Sequence, residues 1–336
     1  MIWLDNTRIV AIFAVILLHV AANVVLEAEV GSAYWWFGNL YDSLVRWCVP
    51  VFIMVSGALL LDPQKQEDLK TFYTKRLSRI LIPLLFWSVF FLLWQAAAGL
   101  SNGNAPTSLQ LLKLLLAGTP YYHMWFLYMI TGLYLFTPFF RKIIQASTRE
   151  ELVVLVALAF VLAAASYAYQ CLRPGGPALF VDWFLWYIPF FFLGHLIHTD
   201  RRTPSRAWLS LVFFLSAALT ASGCYLLARY ADLGKGLYFY GYLSVTVIPM
   251  SISVMYLLKY WERPILNTRF TRTTASLTFG IYLIHPAIWD VLHHYWPQRA
   301  ESHSAILIPL AAITIFSLSL PTAWLIQAIP PLKRTI

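Results

Sequence analysis

Apolar residues are gathered into long runs separated by short polar stretches. Ten runs stand out, at 7–26, 40–61, 80–99, 121–140, 151–170, 183–198, 208–229, 239–258, 276–296 and 305–328. Each is close to the ~20 residues that carry an α-helix across a ~30 Å hydrocarbon layer, the sixth being the shortest. One further stretch, "SLQLLKLLLAG" at 108–118, is apolar but too short to cross. It reads as an interfacial or re-entrant helix on the outer side. The polar stretches are short, and no internal repeat or low-complexity tract interrupts the pattern. The expectation is an all-α polytopic membrane bundle, a single integral-membrane domain over 1–336 with about ten transmembrane helices and no appended soluble domain.

Composition supports the class. The chain is 60% hydrophobic and 12% charged, with a mean hydropathy of +0.67, against roughly 25% charged residues in soluble domains. The cations then fix an orientation. With the N-terminus inside, eighteen Lys and Arg fall on inner segments and five on outer ones (Lys113, Arg173, Arg229, Lys235 and Arg299), while Arg46 lies within the second run. That excess places both termini in the cytoplasm. The net charge of +9 is therefore mostly topological bias, and a nucleic-acid partner is not expected. Arg8, an apolar run and "VAANVV" resemble a cleavable signal, but nine further runs favour an uncleaved first helix. Cys48, Cys171 and Cys224 are scattered, and their spacing suggests neither a metal site, a redox pair nor a disulfide.

Polar residues inside the runs carry the chemistry. Arg8 and His19 are eleven residues apart, almost three helical turns, so they share a face, with His19 ~16 Å deeper. Asn23 and Glu27 continue that face outward. A hydrogen-bonded packing histidine and a snorkelling arginine would give the same spacing. His285 in "GIYLIHPAIWD" reaches a similar depth, and Pro286 loosens the helix beside it. Two mid-membrane imidazoles suit general-base chemistry on a hydroxyl. Arg76 and Arg79, beside Lys75 in "FYTKRLSRILIP", share a face of a helix starting there. They fit either phosphate binding or positive-inside anchoring. His123 and Trp125 fall near the outer end of the fourth run, as site residues or as an aromatic belt. Asp42 and Arg46 form an i, i+4 pair near the outer end of the second, which a simple ion pair would also explain. Pro50, Ser56 and Gly57, and likewise Pro189 and Gly194, permit bends or close helix packing. His195 and His198 read as inner-rim residues, His293 and His294 as outer-rim ones. The aromatic stretches "SAYWWFGNLY" and "GLYFYGYL" offer stacking surfaces for sugars and serve equally as interfacial belts.

Taken together, Arg-x10-His (Arg8, His19), "FIMVSG" (52–57), Arg-x-x-Arg (Arg76, Arg79), "HMWFLYMI" (123–130), "IPFFFLG" (188–194) and "GIYLIHP" (280–286) resemble acyltransferase family 3, the integral-membrane acyltransferases of surface glycans and lipids. The head "WLDNTR" is similar to its O-acetyltransferase branch acting in polysaccharide assembly. The resemblance implies a multi-pass protein of a bacterial-type cytoplasmic membrane. It implies acetyl-CoA or another acyl-CoA as cytoplasmic co-substrate, no metal, and a hydroxyl of an extracytoplasmic polysaccharide, lipid-linked sugar or lipid as acceptor. The sequence shows no esterase-like domain of the kind some relatives carry, so a stand-alone member is expected. Arg8, Arg76 and Arg79 match donor-side positions, and His19 matches the family's essential histidine. The expected site is His19, Arg8, His285 and Glu27 for catalysis, with Arg76, Arg79 and Lys75 on the donor. His123, Trp125, Asp42 and Arg46 complete it on the acceptor side. His19 acts either as base for direct transfer or as an acyl relay. A carrier or flippase for a lipid-linked saccharide would also place polar residues at mid-depth, and thioester consumption separates the two. A purely structural membrane subunit leaves the polar stripe without a use.

Overall fold

The computed structural model describes residues 1–64, 67–101, 103–172, 183–295 and 304–336. Lys65, Arg173 and Arg299, three of the cations counted above, lie outside the described residues. All regular structure among the described residues is helical. The helices are α1 (Ile2–Glu27), α2 (Ala33–Val45), α3 (Cys48–Leu60), α4 (Leu69–Ser101), α5 (Ser108–Leu116), α6 (Trp125–Ala146), α7 (Arg149–Leu172), α8 (Trp183–Thr199), α9 (Arg206–Tyr230), α10 (Leu233–Gly236), α11 (Val247–Lys259), α12 (Thr268–Tyr295) and α13 (Ser304–Ala328). Seven segments among the described residues are long and apolar enough to cross a membrane: α1, α2 with α3, α4, α7, α9, α12 and α13. The molecule is a polytopic helical bundle.

Burial sorts these segments. The most apolar stretches of α1 and α12 are 61% buried and that of α2–α3 78%, whereas those of α7, α9 and α13 are only 17%, 28% and 28% buried. The first group is the centre of the bundle, and the second turns most of its leucines and valines outward, as lipid-facing helices do. α1 lies at the hub, packed against α2, α3, α11, α12 and α13. Its N-terminus is pinned by Asn6, whose amide donates to the carbonyls of Trp261 (3.1 Å) and Arg263 (2.8 Å) beyond α11.

Three elements depart from the hydropathy reading. The run at 40–61 is two helices, beginning seven residues earlier and breaking at Arg46–Trp47. Pro50 has no N–H to give the carbonyl of residue 46, and its ring crowds that carbonyl, so the helical ladder fails there. The Trp47 indole donates instead to the Leu44 carbonyl (2.8 Å). The run at 239–258 is regular α-helix only from 247, after the turn α10 and a 3₁₀ segment at Leu237–Tyr240. The third helix starts at Leu69 rather than near 76, so Lys75, Arg76 and Arg79 sit within α4. α5 fits its reading as a helix on the surface. It has no buried residue, and Thr107 and Gln110 close a capping box at its start.

α3 and α8 meet backbone to backbone. A β-carbon added to Gly57 would fall on the Phe191 carbonyl, and one added to Gly194 on the Met54 carbonyl. The two glycines singled out in the sequence thus license one close crossing.

Candidate active site

The site starts from a proline. Pro286 in α12 lacks an N–H, so the carbonyl four residues back, that of Tyr282, has no helical donor. The His285 ring takes it: its Nδ1 lies 2.7 Å from Tyr282 O and 3.2 Å from Ile281 O. A carbonyl only accepts, so Nδ1 carries the proton and Nε2 of a neutral ring is left with a lone pair. His19 Nδ1 sits 2.8 Å from that Nε2, with the two rings stacked at 5.1 Å. His19 Nδ1 is therefore the donor, and His19 Nε2 is left as an acceptor. A relay of backbone carbonyl, His285 and His19 fixes both tautomers and presents one basic nitrogen. His285 is buried and His19 partly exposed.

A third imidazole adjoins the pair. His123 is 1% exposed, its ring centre is 5.7 Å from that of His285, and neither of its nitrogens has a hydrogen-bond partner among the described residues. It does not sit in an outer aromatic belt. The loop before α6 folds it inward, where Tyr282 donates its hydroxyl to the His123 carbonyl.

Below the histidines lies a cavity of about 460 Å³, lined at one end by Arg8, Arg76 and Arg79 and at the other by Phe126 and Tyr282. Arg8 is held by Asp5 (2.8 Å), and the Nε atoms of Arg8 and Arg76 are buried without partners among the described residues. Three guanidinium groups lining one end of a cavity, Arg8, Arg76 and Arg79, are suited to an anion. The cavity ends beneath the histidines, since the Tyr282 ring is 6.1 Å from that of His285. Cations, a largely apolar cavity and a basic imidazole thus follow one another through the bundle. The model of the acyltransferase domain family matches residues 1–328.

The chain belongs to acyltransferase family 3. No curated protein and no solved structure matches it.

Other residues of this family 3 chain named from sequence fall in different places. Lys75 points away from the cavity: its side chain is 57% exposed and pairs with Glu67 at 3.3 Å. Glu27 is exposed at the end of α1, ~12 Å along the axis beyond His19. The polar stripe therefore divides, with Arg8 and His19 joining the interior and Glu27 the surface. Asp42 and Arg46 are ion-paired inside the bundle, Asp42 fully buried and Arg46 nearly so. Arg46 also donates to the Tyr240 carbonyl (3.3 Å) and lies 4.1 Å from that ring's centre, while the Tyr240 hydroxyl donates to Asn39 (2.7 Å). This network ties α2 to the 3₁₀ segment. Trp125 packs between Tyr187 and Tyr242 at 5.8 and 5.9 Å. At the arginine end, His195 is buried and His198 stacks on Trp3 at 5.8 Å, so neither is a plain rim residue. Sequence reasoning missed Asp290, Tyr121, Tyr122 and Trp94, which gather beyond the histidine pair. A carboxylate inside an apolar run was the available signal.

Proposed function

We propose that this family 3 protein moves an acetyl or other short acyl group from cytoplasmic acyl-CoA to a hydroxyl of an extracytoplasmic glycan, lipid-linked sugar or lipid, through one integral-membrane domain of about ten spans with both termini inside. The observation that carries the reading is the carbonyl–His285–His19 relay, standing directly beyond an arginine-ended cavity. A fixed neutral imidazole with its lone pair exposed is what deprotonating a hydroxyl requires.

Arg8, Arg76 and Arg79 hold the phosphates of the donor, which cannot enter hydrocarbon, and the thin thiol arm reaches up the cavity toward Tyr282. The acceptor approaches from the opposite end. His19 Nε2 takes the hydroxyl proton as the oxygen attacks the thioester carbonyl carbon. A C–O bond forms, the C–S bond breaks, and the departing thiolate recovers the proton from His19. His285 keeps its own proton throughout and stabilises the transient imidazolium by accepting from His19 Nδ1. His123 and the Asp42–Arg46 pair flank this centre on the acceptor side. Lys75 and Glu27 contribute charge at the two mouths and lie outside the reacting core.

Sealed vesicles of known orientation test the reading. Acyl-CoA supplied only at the cytoplasmic face is expected to acylate an acceptor held only on the other face, with CoA released on the donor side. Transfer that requires both substrates on one face rejects the transmembrane route, and movement of acceptor without thioester consumption favours a carrier.

A further inference from the structure

Beyond the histidine pair, three separate parts of the chain converge on one carboxylate. Asp290 lies five residues past His285 on α12, ~7.5 Å further from the arginine end. Its Oδ2 accepts from the Trp94 indole of α4 (2.9 Å) and from the Tyr121 hydroxyl in the loop before α6. Oδ1 has no hydrogen bond among the described residues, and it is not among the fully buried atoms that lack one, so it keeps some exposure and an acceptor to spare. No Lys or Arg among the described residues pairs with Asp290. Beside it, Tyr122 is 45% exposed. Its ring lies 4.8 Å from that of Tyr121 and edge-on to His19 at 5.0 Å. A carboxylate within a membrane helix is expensive and is retained where it meets something polar. Here the two neighbouring donors satisfy one oxygen and lock the group, leaving the other without a partner among the described residues, near a half-exposed aromatic ring.

We infer that Asp290, locked by Tyr121 and Trp94, and the Tyr122 ring form a pyranose subsite for the acceptor. A sugar ring has an apolar C–H face and a rim of hydroxyls. The face stacks on Tyr122, one hydroxyl donates to Asp290 Oδ1, and a neighbouring hydroxyl is then presented to His19 Nε2. The inference rests on the acyl-transfer reading and narrows its acceptor class to carbohydrate. A site built to hydrogen-bond a second hydroxyl discriminates against an alcohol that lacks one, so a simple lipid alcohol is the natural contrast.

The experiment uses the full chain in proteoliposomes with acetyl-CoA. The acceptors are octyl gluco-, galacto- and mannopyranoside, with 1-decanol as the contrast. At least one pyranoside is expected to be acetylated in preference to decanol. Asp290→Asn and Asp290→Ala should each raise its KM about 10–100-fold, as loss of a charge-assisted hydrogen bond does, while the KM for acetyl-CoA moves less than about threefold. Tyr122→Ala should raise the pyranoside KM about tenfold, with Tyr122→Phe restoring most of it because the stacking face survives. An unchanged pyranoside KM in well-folded Asp290→Asn, or decanol used as well as the best sugar, overturns the subsite. Consumption of acetyl-CoA with no pyranoside acetylated overturns the subsite and leaves acyl transfer standing. No consumption with any acceptor overturns both.

Discussion

At the residue scale the decisive unit is a histidine whose tautomer is set two steps away by a proline. Removing the imidazole in His19→Ala is expected to lower kcat about 10²–10⁴-fold, the usual range for a lost general base, in protein that remains monodisperse in detergent. Near-normal turnover by such protein would reject the assignment. Pro286→Ala separates orientation from packing. It returns an N–H that competes with His285 Nδ1 for the Tyr282 carbonyl, so the helix gains a bond while the relay weakens. Thermal stability should hold or rise as kcat falls ~10-fold, about one hydrogen bond's worth. A parallel loss of stability and rate would point to a packing role instead. On the donor side, Arg76→Ala and Arg79→Ala should raise the KM for acyl-CoA ~10–100-fold each, consistent with charge-assisted contacts. Lys75→Ala, whose ammonium is turned to Glu67, should change it far less. Equal effects of all three would mean that the arginines act only through general surface charge.

The element scale is governed by how closely helices approach. α3 carries Ser56 and the wall residues Phe52 and Val55 of the arginine-ended cavity, and its position is fixed by the glycine crossing with α8. Gly57→Ala or Gly194→Ala would drive a methyl group into a backbone carbonyl that cannot swing aside. Each is expected to destabilise the bundle by about 1–3 kcal/mol, the range for overpacking, read as an earlier thermal transition in detergent. Wild-type stability in either variant would show that the two helices are free to separate. The double variant should cost less than the sum, because one displacement relieves both clashes.

At the scale of the whole molecule, the proposed transfer requires the two ends of the bundle to face different compartments. The turn between α1 and α2, made possible by Gly31 at φ 91°, belongs to the end opposite the arginines. In a Cys171→Ser background, with Cys48 and Cys224 buried, Glu29→Cys is expected to react with a membrane-impermeant maleimide added outside intact cells. Arg202→Cys and Lys333→Cys should react only once the cytoplasmic face is opened. The reverse pattern would invert the proposed direction of transfer, whatever the turnover.

The sequence by itself determined the helical class, most helix positions, the arginine cluster and the matching depths of His19 and His285. These follow from local quantities: hydropathy over a span, and rise per residue along one helix. Pro50 and Pro286 were visible, but a proline announces only that a carbonyl is released, not what will claim it. Only the tertiary structure decided that His285 claims it and hands its other nitrogen to His19. It also decided that His123 turns inward, that Asp42 and Arg46 are interior, that Lys75 and Glu27 turn outward, and that Asp290 meets Tyr121 and Trp94. The physical reason is rotation about the helix axis. Helices that are apolar almost all round, such as α3 and α13, carry no stripe that says which side faces a neighbour. Their facing is settled by packing against partners far along the chain, where a backbone crossing such as Gly57 against Phe191 fixes what each side chain can reach.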